Sequence, residues 1–247
     1  KQVNYAAEKR IDFIICDHHR PGETVPPAAA VLDPKQEDCK YPFDELSGCG
    51  VGFKLVQALC KEWNLADTEW HPLMDLLAIS IGADIVPIVG ENRILAYYGL
   101  KLINSKPRAG VQLLIELTGK KSKDLTITDV VFMIGPRINA AGRISHGRLA
   151  VDLLTGEDAS LIEELSKTIN EHNTERKELD SNITISALEM IADQNETERR
   201  STVVFDKTWH KGVIGIVASR LIETHYRPTV VFTESNGVLA GSARSVK

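Results

Sequence analysis

The apolar positions fall into two alternating stretches of short apolar runs and helix-period segments, separated by one long, mostly polar helical region. Ile11-Asp12-Phe13-Ile14-Ile15-Cys16 is a short apolar run that stops abruptly, the pattern of a buried strand, and Ala28 to Leu32 repeats it before Asp33-Pro34. Pro21 to Pro27 between them has the Pro and Gly content of a loop. A helix opens at Ser47-Gly48-Cys49-Gly50-Val51-Gly52 and runs to about Trp63, with Val51, Leu55 and Leu59 at helical spacing. A very apolar helix is predicted over Pro72–Ile81, and two more over Glu91–Asn104 and Pro107–Leu117. From Gly156-Glu157-Asp158 a helical pattern reaches about Asp193. Its apolar face (Leu161, Leu165, Ile169, Leu179, Ile183, Leu188) is interrupted by a polar middle, His172 to Asp180. Continuous, it would be about 54 Å long, from ~36 residues at 1.5 Å each. A polar middle is what a helix bridging two domains presents. After the polar stretch Asn195–Arg200, the pattern predicts strands over Thr202–Phe205 and Thr229–Thr233, a helix from Lys211 to Tyr226, and an extended edge segment from Val238 to Val246.

The pattern predicts an α/β fold: a parallel-sheet domain (1–155), a long connecting helix (156–194) and a smaller α/β domain (195–247). The length of 247 residues and the 43% apolar content suit one large or two ordinary domains. No apolar run has membrane length and no signal peptide is visible, so a cytoplasmic protein is expected. Cys16, Cys39, Cys49 and Cys60 have no CxxC spacing and read as reduced, mostly buried thiols. The net charge of −5 excludes holding nucleic acid by bulk charge alone. An anionic chain would have to meet local basic clusters or metal ions.

The candidate chemistry lies at element ends. Asp17-His18-His19 follows the first apolar run directly, where ligands collect in open α/β sheets. One carboxylate and two imidazoles in one turn supply oxygen and nitrogen donors for a divalent transition metal; the alternative is a cap and a surface histidine. Asp84, among apolar neighbours at a helix end, would be a buried acid that needs a cation, either Arg93 or a metal. Gly48, Gly50 and Gly52 suit close packing better than phosphate binding, because the pattern is not the dinucleotide fingerprint. Val130 to Val151 contains no acidic residue, and within it Gly135-Pro136-Arg137-Ile138-Asn139-Ala140-Ala141-Gly142-Arg143 reads as a loop whose arginines could grip phosphates or simply be solvated. Ser242, Arg244 and Ser245 place two hydroxyls and a guanidinium together on an extended segment that could hold a phosphate or be a plain edge strand.

Taken together, Asp17-His18-His19, Gly82-Ala83-Asp84-Ile85-Val86-Pro87 with Glu91-Asn92-Arg93, Gly135 to Arg143, His210 to Ala218 and Gly241 to Ser245 resemble the DHH phosphoesterase superfamily, specifically its bacterial 5′→3′ exonucleases of single-stranded DNA in recombination and repair. The resemblance implies a DHH domain and a smaller DHH-associated domain with the active site in the cleft between them. It also implies two Mn²⁺ or Mg²⁺ ions, with Asp17, His18 and Asp84 as ligands and His19 completing the site. Arg137, Asn139 and Arg143 would contact backbone phosphates; Ser242, Arg244 and Ser245 would hold the strand's 5′ end, with His210 nearby. Single-stranded DNA is the implied partner, with a helicase or a single-strand-binding protein as further family partners and no membrane. The family's aspartate motifs upstream of DHH and an oligonucleotide-binding domain are not found here, so a trimmed polypeptide with an incomplete ligand set and little activity is expected. The competing readings are a superfamily phosphodiesterase for short oligonucleotides or cyclic dinucleotides, and a non-catalytic single-strand-binding module.

Overall fold

The computed structural model describes residues 1–120, 124–193 and 199–246. It forms two compact units, one of residues 1–136 and 154–163, the other of residues 137–153 and 164–247. Most of the 195–200 stretch and the final Lys247 lie outside the described residues.

The first unit holds α1 (Gln2–Glu8), β1 (Ile14–Cys16), β2 (Ala30–Leu32), α2 (Gly48–Glu62), α3 (Met74–Ala83), α4 (Gly90–Ser105) and α5 (Ala109–Leu117). β1 and β2 pair in parallel, Ile15 opposite Val31. The strand is shorter than its apolar run, and it is not buried: Ile11, Phe13 and Ile14 are exposed. Cys16 is exposed too, as are Cys39 and Cys49, and only Cys60 is buried. On α2 the buried face is Gly50, Val51, Phe53 and Cys60, not the Val51–Leu55–Leu59 line. α3 is the centre of this unit. Leu77, Ala78, Ile79 and Ile81 are all buried, which is why it is apolar around its circumference. α4 crosses it closely because Gly99 has no Cβ; one there would collide with Met74 O and Ala78 Cβ. Asp75, on the same helix, is buried and bidentate to Arg108, Oδ2 to Nε at 2.6 Å and Oδ1 to Nη2 at 2.7 Å.

A short turn, α6 (Ile127–Asp129), is closed by a Thr126–Asp129 capping box. It runs through a π-helical segment (Val130–Ile134) into α7 (Gly135–Ile144). The arginine-bearing segment 135–143 is therefore helical, not a loop. Its small residues Ala140 and Ala141 are fully buried against neighbours, and their apolar spacing was masked by flanking Gly and Pro. α8 (Arg148–Thr155) follows, then α9 (Ala159–Asp193), 35 residues long.

The second unit continues with β3 (Thr202–Phe205), α10 (Ile214–Thr224), β4 (Thr229–Ser235) and β5 (Val238–Arg244). β3 and β4 are parallel, β4 and β5 antiparallel, in the order β3-β4-β5. The β4–β5 turn is Asn236-Gly237, both at positive φ (54° and 74°), the two-residue geometry that matches strand twist. Ile183, Ala187 and Ile191 of α9 pack with Val204, Trp209, Val217, Leu221 and Val231 to form its core. No helix among the described residues is long and apolar enough to cross a membrane.

Candidate functional site

In the first unit, the end of β1 and the end of α3 place two predicted residues against each other. Asp17 N still donates to Leu32 O, so the β ladder runs up to the triplet. The Asp17 carboxylate then folds the chain back: its Oδ1 accepts from His18 N (2.7 Å), His19 N (3.1 Å) and His19 Nδ1 (2.8 Å). These bonds, the His19 ring N–H first among them, hold the Asp17 carboxyl below the usual carboxylate range. His18 points the other way. Its Nε2 lies 3.2 Å from Asp84 Oδ2, with side-chain exposures of 13% and 41%. Asp84 is thus not the buried acid expected from its apolar neighbours, and its partner is His18, not the exposed Arg93.

Three local features fix this pair. Ser47 caps α2 by accepting from Gly50 N (3.1 Å) and is bonded by Ser80 Oγ of α3 (3.0 Å), tying the α2 start to the α3 end. Gly48 lies under the His18 ring, where an added Cβ would be 3.5 Å from Cδ2, an ordinary contact; of the three glycines only Gly50 is tight, 3.3 Å from Leu46 Cβ. Asp84 N donates to Ser80 O, and the next residue, Ile85, turns the chain at φ 55°. For a β-branched residue this left-handed conformation costs roughly 1–2 kcal/mol, and it is stored beside the carboxylate. Of the neighbouring motif, Glu91 is held by Tyr41 Oη (2.5 Å) and Lys54 Nζ (2.9 Å), and buried Asn92 donates to Glu45 O and Pro87 O. Glu91 and Asn92 are braces for this region.

Two donors 3.2 Å apart suit adjacent positions on one small cation, since bonds of about 2.1 Å at right angles set neighbours about 3 Å apart. The buried His18 Nδ1 has no hydrogen-bond partner among the described residues. No group of three or more His, Cys, Asp or Glu side chains able to hold a metal occurs among the described residues. Asp17 and His19 pair with each other and do not join Asp84.

The remaining predicted residues lie in the second unit. Burial pushes the Arg137 guanidinium below its ordinary pKa, and its Nε donates to Asn170 Oδ1 of α9 at 3.2 Å. Asn139 and Arg143 are on the exposed side of α7. Arg143 Nη1 donates to Gly212 O (3.0 Å), and Gly212 N donates to His210 Nδ1 (3.1 Å), which joins α7 to the 210–212 turn. Gly212 is compulsory, because a Cβ would overlap Arg143 O. Arg244 donates to Ser219 Oγ of α10 and to Ser242 Oγ, each at 3.2 Å. Gly215, in the first turn of α10, opens that corner: an added Cβ would be 3.1 Å from Ser242 Oγ. A hydroxyl, a guanidinium and a helix N-terminus on one corner are suited to an anion. Ser245 lies beyond β5 and donates to Val246 O. Ser219 and Asn170 were not anticipated; Ser219 stands one helical turn past Gly215, a spacing that could have suggested it.

Residues 1–81 match the DHH family, N-terminal domain. Over its whole length the chain is 42% identical to the single-stranded-DNA-specific exonuclease RecJ of Bacillus subtilis, covering 31% of that protein. Over 99% of its length it is 36% identical to RecJ of Haemophilus influenzae, covering 45% of it. The fold matches a crystal structure of exonuclease RecJ bound to manganese (TM-score 0.82, 32% identity, all of this chain and 60% of that one). It also matches RecJ in complex with Mn²⁺ from Thermus thermophilus (TM-score 0.85, 31% identity, 99% of this chain and 35% of that one). The chain thus spans less than half the length of these two sequence relatives. Residues 1–81 thus match the DHH family's N-terminal domain, and the chain as a whole is similar to RecJ from end to end in sequence and fold.

Proposed function

We propose that this chain is the phosphodiesterase core of a metal-dependent exonuclease that degrades single-stranded DNA from its 5′ end, as the relatives named RecJ act on single-stranded DNA. The observation that carries the reading is the 3.2 Å approach of His18 Nε2 to Asp84 Oδ2, joining two residues remote in sequence. His18 and Asp84 would hold Mn²⁺ or Mg²⁺, the ions in the similar RecJ structures, with Asp17 supporting. When bound, such an ion polarises the phosphoryl oxygen and acidifies a water. Asp17 fixes the turn and the His19 ring, leaving His19 Nε2 for a phosphate oxygen. Arg137, Asn139 and Arg143 would position backbone phosphates, and Ser242 with Arg244 would hold a 5′ phosphate, with His210 bracing Gly212 beneath them.

The test uses His18→Ala and Asp84→Asn in the whole protein. Mn²⁺ affinity, read by calorimetry, and hydrolysis of a labelled single strand should both fall by more than the about 10–100-fold that loss of an outer-shell partner costs. Strand binding should persist. Unchanged hydrolysis in either variant would overturn the assignment. Digestion of dinucleotides but not of long strands would instead favour a short-oligonucleotide phosphodiesterase.

A further inference from the structure

The polar middle of α9 is not a solvated face. Asn173 and Asp180 are buried, and His172 and Arg176 are half-buried, on the side of the helix that continues as core through Ile169, Ile183 and Ala187. The Asp180 carboxylate, 3% exposed, is taken up by Arg220 of α10, with Nε 2.8 Å from Oδ1 and Nη2 2.8 Å from Oδ2. Arg176 donates one Nη2 bond to Asn173 Oδ1 at 3.3 Å, and its Nε is buried without an acceptor among the described residues. Burial lowers the Arg176 pKa; Asp180 opposes this, and the like charges of Arg143 of α7 and Arg220 add to it. The carboxylate that faces Arg176 is thus already engaged by the bidentate fork of Arg220, which also meets the charge of Glu223. One buried donor, Arg176 Nε, is left unsatisfied. A buried donor left unpaired costs about 1–3 kcal/mol, and like charges at close range add to that cost. An anion presenting several oxygens relieves both, and arginine forks match phosphate oxygens.

We propose that Arg176 is a further substrate-positioning residue, contacting a backbone phosphate of the single strand next to the one met by Arg143. This rests on the strand-binding reading of the second unit given above. The Asp180–Arg220 pair holds α10 against this part of α9 and leaves the Arg176 fork for the ligand.

The experiment measures binding of a fluorescent single-stranded oligonucleotide to the whole protein across a salt series. Each phosphate contact on a single strand contributes a slope of about −0.7 to log affinity against log salt. Arg176→Gln should flatten the slope by about that amount, while Arg176→Lys, which keeps the charge, should hold it. Thermal unfolding of each variant identifies one that fails to fold, and Arg176→Met, which keeps the apolar stem, then supplies the slope. A folded Gln or Met variant with the slope of the parent overturns the proposal, as does a Lys variant that loses it. Absence of salt-dependent binding in the parent protein would instead overturn the strand-binding reading itself.

Discussion

Single residues here are fixed by what a side chain would displace. Gly212 is not among the positive-φ glycines, so no left-handed turn demands it; the demand comes from Arg143 O, which occupies the place of its Cβ. Gly212→Ala should therefore push the 210–212 turn away from α7, breaking both the Arg143–Gly212 and Gly212–His210 bonds. Overpacking of this kind costs about 1–3 kcal/mol. Urea unfolding should register it, with strand affinity falling alongside as Arg143 loses its brace; a loss of less than ~0.5 kcal/mol would mean that the turn yields freely. The sequence named Asp17, His18, Asp84 and the arginines of 137–143 because their types and positions relative to element ends carry chemistry. It misplaced Asp84's environment, because an acid flanked by apolar residues can still be turned outward, and here the left-handed turn at Ile85 does so. No propensity rule anticipates a β-branched residue at such a turn.

Elements were legible where periodicity was strong and illegible where small residues did the packing. The apolar run Val203–Phe205 marks β3, and helical periodicity marks α4, α5 and the end of α9 to within a few positions. The 135–143 segment reads as a loop in the sequence, although Pro136 suits the first turn of a helix. The Asn236-Gly237 pair is a two-residue hairpin signal legible in the sequence. The joint between α3 and the chain entering α5 was invisible, because only tertiary structure pairs Asp75 with Arg108. That pair makes its own prediction. The Asp75 side chain is 3% exposed, so Arg108→Ala leaves a buried charge with its partner gone, a loss of about 3–5 kcal/mol. Equilibrium unfolding should show the loss, and replacing both partners, Asp75→Leu with Arg108→Met, should recover most of it. A single-variant loss under ~1 kcal/mol would mean that water already solvates the carboxylate.

At the scale of the whole chain, charge and metal donors point to different consequences. The net charge is −5, yet the segment from Val130 to Val151 is free of acids and carries Arg137, Arg143 and Arg148. Binding to a single strand should therefore arise from a local cluster and weaken steeply with salt, whatever the overall charge. Catalysis asks for more. A two-metal mechanism needs enough donors to fix both ions and leave room for water and substrate, and among the described residues the converging protein donors are His18 and Asp84. The 247-residue polypeptide by itself should accordingly retain salt-dependent strand binding, bind Mn²⁺ weakly, and hydrolyse DNA at least about 100-fold more slowly than the longer B. subtilis relative, more than a single outer-shell defect would explain. Raising Mn²⁺ should recover part of the rate, because the defect is one of affinity for the ion. The measurement is single-turnover hydrolysis at saturating protein across a Mn²⁺ series, with strand binding followed in the same samples. A rate equal to the relative's at low Mn²⁺ would mean that two side chains suffice, and that the remaining coordination comes from water and the phosphate itself.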